Sequence, residues 1–379
     1  MTADAANRTN GTAANNAVPD AIDLSQVRRA LIIKLRHHGD VLLSSPVFSV
    51  LKARAPHIEI DALVYADTQE MLSLHPALSQ IHAIDRGWKT QGVVKQAAAE
   101  WKLWQTLKSR RYDLIIHLTE HRRGMWLAKT LKPRYRVAPQ INNVDAMWTE
   151  SFTHFYKLVA QGNRRHTVES NLDALRRIGV RPAEDEKGLT LIAGAEASTR
   201  VEALIAQHDA GSGFVHIHPT SRWMFKTWPA ERVAQLIDAL QGEGRRVMLT
   251  AAPAEKEMAM IARILSLCTE PPVNLAGQLN LKELAALTRR AALFIGVDSA
   301  PMHIAASQGT PIVALFGPSG EIEWGPWKVA HRIVVSNAHP CRPCGQDGCG
   351  GSKVSECLTT LPVAPVLQAV QALLTSSRR

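Results

Sequence analysis

The segment HHGD at 37–40 places a carboxylate directly after the apolar run ALIIKL at 30–35. A carboxylate in that position can act as a general base that takes a proton from a substrate hydroxyl. Asp is also a common N-cap residue, and Pro46 suits the first turn of the helix that follows. The residues by themselves give equal support to a catalytic role and a capping role for Asp40.

A second polar segment, TSRWMFKTW at 220–228, combines two hydroxyls with a cation. Thr220 and Ser221 follow an apolar run, and Lys226 precedes a helix that we predict to begin at Pro229. Backbone N–H groups and the helix dipole favour anions at such a helix start, so this loop suits a diphosphate. Taken alone, however, the segment is more typical of an ordinary polar loop with Lys226 in solvent.

The third segment, GVDSAPMH at 296–303, joins an apolar run to a predicted helix through small residues. Small residues let a phosphate approach the backbone closely. His303 falls in the first turn of that helix. A lone helical histidine is more often structural, but the neighbouring Asp298 and Ser299 favour a binding role here.

Each of the three segments follows a predicted strand of an α/β fold. Apolar runs alternate with helical segments in both halves of the chain, at 30–35, 60–66, 81–85, 112–119, 213–219, 245–253, 292–299 and 310–317. This alternation predicts parallel sheets that are covered by helices on both faces. Because 379 residues suit two domains, we expect two doubly wound, Rossmann-like domains facing each other across a cleft. Ligands of such sheets bind at the carboxyl ends of the strands, where the three polar segments lie.

The formal net charge of +10 narrows the classes of partner. A basic chain suits a phosphorylated small molecule, an anionic lipid surface or nucleic acid. Lys and Arg are spread along the sequence, without a basic run interleaved with aromatic residues, so nucleic acid is disfavoured. The first 24 residues have no apolar core segment of the secretory type, and they predict a disordered leader on a cytoplasmic protein.

Four cysteines, Cys341, Cys344, Cys349 and Cys357, crowd into one glycine-rich stretch, whereas Cys268 stands apart. In a cytoplasmic chain such a cluster favours a metal site over disulfides. Its second pair lacks the close spacing of a usual zinc site. We therefore expect no metal at this stretch, and a structural zinc ion is the alternative.

Longer stretches around the polar segments resemble glycosyltransferase family 9, the lipopolysaccharide heptosyltransferases. KLRHHGDVLLSSPVFSVLK at 34–52 is similar to the amino-terminal motif of that family, and GVDSAPMHIAASQGTPIVALFGPSGEIEWGPW at 296–327 to its carboxyl-terminal signature. HPTSRWMFKTWP at 218–229 and TAAPAEKEM at 250–258 resemble its donor-site loops. The similarity runs from about residue 29 to residue 361.

The resemblance implies a GT-B architecture and an inverting transfer without an essential metal or other cofactor. The implied donor is ADP-heptose, and the implied acceptor is the lipid A–Kdo–heptose core at the inner face of the inner membrane, where the protein would be peripheral. The expected organisation is a leader at 1–24, an acceptor-binding domain at 25–165, an inter-domain helix or linker at 166–185, an ADP-heptose-binding domain at 186–360 and a C-terminal helix at 361–379.

The resemblance also assigns roles to residues. Asp40 would be the base, and Thr220, Ser221 and Lys226 would hold the diphosphate, with Lys226 stabilising the leaving group. The remaining donor contacts would be Glu255 to the ribose, Asp298 to the heptose, and Ser299, Ala300 and His303 to the diphosphate. Arg122 and Arg123 suit acceptor phosphates or carboxylates, but a solvated helix start explains them equally well.

Within the family, the HHGD loop and DALVYADTQEML at 61–72 are most similar to heptosyltransferase III, which adds the branching heptose to heptose II. The cysteine stretch is instead similar to heptosyltransferase II-like sequences, which extend the first heptose. A non-catalytic sugar-nucleotide-binding protein and a sugar-nucleotide epimerase are the other classes that the fold allows. The presence of Asp40, Lys226 and Asp298 favours an enzyme over the binding protein.

Overall fold

The computed structural model describes residues 18–142, 145–158, 163–211 and 213–376. Most of the predicted leader at 1–24 lies outside these residues. Its last part does not behave as a disordered leader, because Ile22 is buried and its N–H donates to the carbonyl of Ile178 at 3.2 Å. Asp20 pairs with Arg177 at 2.6 Å. Asp20 and Ile22 therefore attach this segment to residues 177 and 178, although Pro19, Ala21 and Asp23 are exposed.

The described residues form two six-stranded sheets in which every strand pairing is parallel. The strands of the first sheet are β1 (Arg29–Ile33), β2 (Glu59–Tyr65), β3 (Gln80–Ile84), β4 (Leu114–His117), β5 (Tyr135–Gln140) and β6 (His154–Lys157). Those of the second sheet are β7 (Val215–His218), β8 (Val247–Leu249), β9 (Val273–Asn274), β10 (Leu293–Val297), β11 (Ile312–Phe316) and β12 (His331–Val335).

Helices cover both sheets. The α-helices are α1 (His38–Leu42), α2 (Ser45–Arg54), α3 (Val93–Ser109), α4 (Arg122–Leu131), α5 (Ala146–Ser151), α6 (Thr167–Arg177), α7 (Ala195–Gln207), α8 (Ala230–Gly242), α9 (Glu255–Leu267), α10 (Leu281–Arg290), α11 (Ala300–Ser307), α12 (Glu321–Trp324), α13 (Glu356–Thr359) and α14 (Val363–Ser376). Short 3₁₀ helices lie at Leu24–Gln26, Ala66–Met71, Arg86–Thr90, Asp185–Lys187, Met224–Lys226 and Cys349–Gly351.

The two sheets share one strand order. The first runs β3-β2-β1-β4-β5-β6, and the second, read from the opposite edge, runs β9-β8-β7-β10-β11-β12. In each sheet the first and fourth strands of that half of the chain are neighbours, and the strand order runs in opposite directions on either side of them. This places a topological switch point between β1 and β4 and another between β7 and β10. The predicted α/β class with parallel sheets is confirmed, and the loops at these two switch points are where ligands are expected.

The apolar runs predicted as strands form the centre of each sheet because both faces are buried. In β4, β7, β10 and β11 every residue is buried. The strands that the sequence did not reveal, β6, β9 and β12, contain mostly half-buried or exposed residues. A strand at the edge of a sheet needs no continuous apolar run, so its pattern is weak in the sequence.

The helix predicted at 167–179 is present as α6, whose Val168, Leu172 and Leu175 join the core of the first sheet. The amphipathic tail forms α14, and its Val366 and Val370 pack in the core of the second sheet. Among the described residues, no helix has both the length and the apolar character needed to cross a bilayer.

Candidate active site

Two cavities open beside the switch points of the sheets. The larger has a volume of about 790 Å³ and is lined by loops that follow β1, β7, β8 and β10. The smaller has a volume of about 430 Å³ and is lined by residues after β1 and β4 together with parts of α6 and α12. Asp40 and Trp324 line both cavities. The predicted base therefore lies where the two spaces meet.

Asp40 is held there by the short helix α1, which begins five residues after β1 ends. The carboxylate sits in the first turn of α1 and is partly exposed. A helix N-terminus favours the ionised form of a carboxylate. The position suits an acceptor of a proton from a hydroxyl bound in either cavity.

The close approach of α1 and α11 depends on Gly39. A Cβ atom on Gly39 would lie 2.9 Å from Cδ2 of His303, which is closer than side-chain carbons approach in practice. His303 is 3% exposed, and burial lowers the pKa of its imidazole, although Asp298 and Asp40 oppose that effect. The ring is thus neutral near pH 7. Within the described part of the chain its buried Nδ1 has no hydrogen-bond partner.

The larger cavity contains a tight ion pair between the loops that follow β7 and β10, the two strands on either side of the second switch point. Nζ of Lys226, from the turn after β7, lies 2.6 Å from Oδ2 of Asp298, which directly follows β10. Lys226 is about one-fifth exposed, whereas Asp298 is buried. The pair keeps the ammonium at the cavity wall, where it can meet an anionic ligand.

Thr220 and Ser221 are buried at the same wall, and Thr220 is part of a hydrogen-bonded chain. Its Oγ1 donates to Oε2 of Glu257 at 2.6 Å and lies 3.4 Å from Nε2 of His218. This series of hydrogen bonds continues to Oγ1 of Thr250, which lies 2.9 Å from Nδ1 of His218. Burial lowers the pKa of His218 to about 3, so this chain carries a neutral imidazole.

Ser299 and Ala300 lie at the beginning of α11 and line the larger cavity. Pro301 has no N–H, and the N–H of Met302 donates to the carbonyl of Ser299 at 3.1 Å. The N–H groups of Ser299 and Ala300, together with the helix dipole, therefore favour an anion at this position. All the predicted donor-site residues except Glu255 therefore lie around one cavity.

Glu255 does not line the cavity. It is the exposed first residue of α9, whereas Glu257 is 5% exposed and faces inward. Two positions along an α-helix differ by about 200° in direction, so the two side chains point to nearly opposite sides. Oε2 of Glu257 accepts a further hydrogen bond from the N–H of Ala252 at 3.3 Å. The helical period of AEKEM could have singled out Glu257 from the sequence.

The smaller cavity contains charged groups that the sequence motifs do not single out. Lys34 is buried, donates to Oδ1 of Asn171 at 2.9 Å and to the carbonyl of Leu118 at 3.3 Å, and lines this cavity. Burial lowers the pKa of Lys34 to about 8, although Asp40 opposes that effect. Arg36 and Arg164 are further cations in the lining.

Glu323, from α12, also lines the smaller cavity. Burial raises the pKa of its carboxyl group, and the nearby charges of Asp298 and Asp40 raise it further. The first half of the chain thus lines the cavity with these cations and with the carboxylates of Asp40 and Glu120, and the second half adds the carboxyl group of Glu323.

Arg122 and Arg123 are not in the lining of the smaller cavity. Arg122 pairs with Asp145, and Arg123 pairs with Glu100. Among the residues that the structure describes, no three His, Cys, Asp or Glu side chains are placed to hold one metal ion. The cysteines at 341, 344, 349 and 357 are free thiols.

Comparison with known proteins identifies the family. The family model of glycosyltransferase family 9 (heptosyltransferase) matches residues 100–354, which is more than half of the chain. The chain belongs to this family. It is also 35% identical over 346 residues to lipopolysaccharide heptosyltransferase 3 of Escherichia coli, and the match covers 90% of this chain and 98% of that protein.

Solved structures of this glycosyltransferase family have the same fold. The crystal structure of the glycosyl transferase family 9 protein from Veillonella parvula superposes with a TM-score of 0.80 at 23% identity, covering 94% of this chain and 99% of that one. The E. coli ADP-heptose lipopolysaccharide heptosyltransferase II superposes with a TM-score of 0.72 at 19% identity, covering 93% of this chain and 100% of that one.

Proposed function

We propose that this glycosyltransferase transfers heptose from ADP-heptose to the inner core of lipopolysaccharide, and that it adds the branching heptose to heptose II. The 35% identity to a heptosyltransferase 3 along nearly the whole chain supports that type. ADP-heptose as donor is supported by the name of the structurally similar heptosyltransferase II.

The observation that carries the proposal is that Asp40 borders both cavities. A transferase needs its base between the acceptor hydroxyl and the anomeric carbon of the donor. The larger cavity, with its anion-favouring helix start and Lys226, suits a sugar nucleotide. The smaller cavity then takes the acceptor, and Asp40 can reach a hydroxyl held at the boundary.

The proposed reaction is a single displacement. The Asp40 carboxylate takes the proton of the acceptor hydroxyl, whose oxygen attacks the anomeric carbon of the heptose from the face opposite the diphosphate. The bond between that carbon and the diphosphate oxygen breaks, and ADP leaves with the electron pair. Lys226 offsets the negative charge that develops on the departing diphosphate. Attack from the opposite face inverts the anomeric configuration.

The donor contacts follow from the lining of the larger cavity. We assign the diphosphate to the Ser221 hydroxyl and the N–H groups at the start of α11, with the His303 imidazole beside them. The Thr220 hydroxyl donates its one proton to Glu257, so it supports this wall of the cavity and does not donate to the diphosphate. Asp298 accepts hydrogen bonds from the heptose hydroxyls. Glu257, rather than Glu255, is in position to accept from the ribose hydroxyls.

Cations in the smaller cavity suit an anionic acceptor. The carboxylates of Kdo and the phosphates of a phosphorylated core match Lys34, Arg36 and Arg164, and arginine pairs bidentately with both groups. The pKa of about 8 for Lys34 keeps most of its ammonium charged near pH 7.

We also propose the GT-B arrangement for these two α/β halves, with 25–165 binding the acceptor, 186–360 binding the donor and 166–185 connecting them. Closure over the ligands would exclude water that otherwise hydrolyses the donor. A lipid-linked acceptor places the enzyme at the cytoplasmic face of the inner membrane, as a peripheral protein.

The test is ADP release from ADP-heptose with core-truncated lipopolysaccharides that carry one or two heptoses. We expect release only with the two-heptose acceptor, and a loss of about 10²- to 10⁴-fold in Asp40→Asn, which keeps the size of the side chain but removes the base. Donor binding, measured by calorimetry, should persist in that variant. Asp209→Asn, at a fully exposed position, is the control and should retain full activity.

Release with a one-heptose acceptor would assign the second-heptose reaction instead. Tight donor binding without release on any acceptor would favour a sugar-nucleotide-binding protein. Unchanged turnover in Asp40→Asn would exclude Asp40 as the base.

A further inference from the structure

Helix α3 leaves an unusually apolar surface in contact with solvent. Of its residues only Leu107 is fully buried, whereas Val93, Val94 and Trp101 are 85%, 83% and 58% exposed. On the neighbouring helix α4, Trp126 is 50% exposed. Single exposed apolar side chains need no explanation, but a group of large ones on adjoining helices marks an interaction surface.

The aromatic side chains are held in one place by contacts between the two helices. Trp101 stacks on Trp104, with ring centroids 4.9 Å apart and planes inclined by 22°. Nε1 of Trp104 donates to Oγ1 of Thr130 in α4 at 3.2 Å.

An ion pair joins the same helices between Glu100 of α3 and Arg123 of α4. Because residues 123, 126 and 130 lie on one side of α4, Trp126 is on the side that faces α3. We call the surface formed by Val94, Trp101, Trp104 and Trp126 the tryptophan face.

Cations surround the tryptophan face. Lys95, Lys102 and Lys108 are exposed on α3, and Nζ of Lys108 lies 4.4 Å from the centroid of the Trp104 ring. Within the described part of the chain none of these three lysines forms an ion pair. Glu100, the acidic residue of α3, is neutralised by Arg123. The face is therefore apolar and aromatic with a positive margin.

We propose that the tryptophan face docks the enzyme on an anionic lipid surface. Tryptophan prefers the headgroup region of a bilayer, and an amphipathic helix with lysines beside its apolar face lies in that plane. The lysines complement the charge of anionic headgroups. A second copy of the chain would bury the tryptophans equally well, but it would bring three lysines of each copy towards one another.

The position of the tryptophan face agrees with the proposed function. The inference rests on that function for the reason why the enzyme would bind lipid, whereas the vesicle experiment tests the binding independently. Helix α4 begins after β4, and Thr119 and Glu120 in the intervening loop line the smaller cavity. Docking through α3 and α4 would therefore place the acceptor cavity on the half of the protein that meets the lipid, where a lipid-linked sugar is found.

The experiment is sedimentation of the full chain with vesicles of phosphatidylethanolamine and phosphatidylglycerol, or with vesicles of phosphatidylcholine alone. We expect binding to the anionic vesicles at low salt, release at high salt, and little binding to phosphatidylcholine. Trp101→Ser combined with Trp126→Ser should weaken binding at least tenfold. Lys95→Gln and Lys102→Gln should each weaken it about fivefold, the effect of one cation near an anionic surface. Val354→Ser, which changes a 49% exposed apolar side chain on the other half, is the matched control.

Turnover of a water-soluble acceptor oligosaccharide separates this inference from the proposed function. The tryptophan double variant should keep normal turnover while losing vesicle binding. Tryptophan-dependent vesicle binding without heptose transfer would sink the proposed function and leave this inference standing. The inference would be overturned if the wild-type protein did not bind anionic vesicles. It would also be overturned if the tryptophan double variant bound them as tightly as the wild type does. A dimer in light scattering that the double variant abolishes would assign the face to a second copy instead.

Discussion

At the scale of single residues, the site combines groups whose chemistry depends on their immediate neighbours. Asp40 borders two cavities, and Lys226 is paired with Asp298 at 2.6 Å. His303 packs so closely on Gly39 that a side chain at position 39 would force the imidazole or α1 to move. The HHGD motif therefore needs its glycine for a contact with the distant helix α11 as well as its aspartate for a proton.

The prediction at this scale concerns Gly39→Ala. The added methyl would lie 2.9 Å from His303 Cδ2, so the imidazole or α1 must move, and Asp40 moves with α1. We expect kcat/KM for transfer to fall about ten- to hundredfold, the usual effect of misplacing reacting groups by about 1 Å. Thermal stability should change little, because the neighbouring ring can shift.

The control is Gly242→Ala in α8, where a Cβ meets nothing within 4 Å. Alanine is the better helix former, so that variant should keep its activity and be no less stable. Equal activity of both variants would contradict the close-packing explanation.

At the scale of elements, strand β2 anchors the end of α3 through a buried carboxylate. Asp61 is fully buried and accepts from Arg110 at 2.8 Å and from Tyr112 at 2.7 Å. Burial alone would raise the pKa of Asp61, but hydrogen bonds from His82, Arg110 and Tyr112 hold it below its usual value. Asp61, the charged residue inside the apolar run IDALVYA, thus holds the end of α3 against strand β2.

Asp61→Ala should therefore lower the free energy of unfolding by about 2–3 kcal/mol. Breaking a buried ion pair costs about 3–5 kcal/mol, and the cost is smaller here because Arg110 remains 18% exposed and can be hydrated. Urea denaturation measures the change. Glu202→Ala, which breaks the exposed pair with Arg290, should cost less than about 1 kcal/mol. Similar losses in the two variants would mean that the Asp61 cluster adds no particular stability.

At the scale of the whole molecule, both sheets contain histidines that are buried in their neutral form. Burial lowers the pKa of His117 in β4, and of His216 and His218 in β7, to about 3 in each case. The unfolded chain binds a proton at each of these positions below its ordinary pKa of about 6.5, whereas the folded protein does not. Folding is thus favoured above pH 6.5 and is progressively disfavoured as the pH falls towards 3.

We predict that the free energy of unfolding decreases from pH 6.5 to pH 4. Each such histidine contributes a slope of up to about 1.4 kcal/mol per pH unit. Denaturation at a series of pH values measures the slope directly. A stability that is flat between pH 5 and pH 6.5 would show that these rings are protonated in the folded state.

The sequence by itself determined the α/β class, the central strands and the polar loops that follow them. Those features are local: a continuous apolar run makes a buried strand, and the residues after it must lie at the carboxyl end of the sheet. Three of the four edge strands, β6, β9 and β12, were not predicted, because most of their residues are half-buried or exposed. Similarity to a motif does not show which of Glu255 and Glu257 faces the cavity, because that depends on the direction of each side chain around α9.

Only the tertiary structure decided which distant groups meet. It brought His303 against Gly39, placed Asn171 of α6 beside the buried Lys34, and brought Glu323 from the second half of the chain to the cavity of the first. It also left the tryptophan face uncovered. Such contacts depend on how whole elements pack, and no short stretch of sequence contains that information.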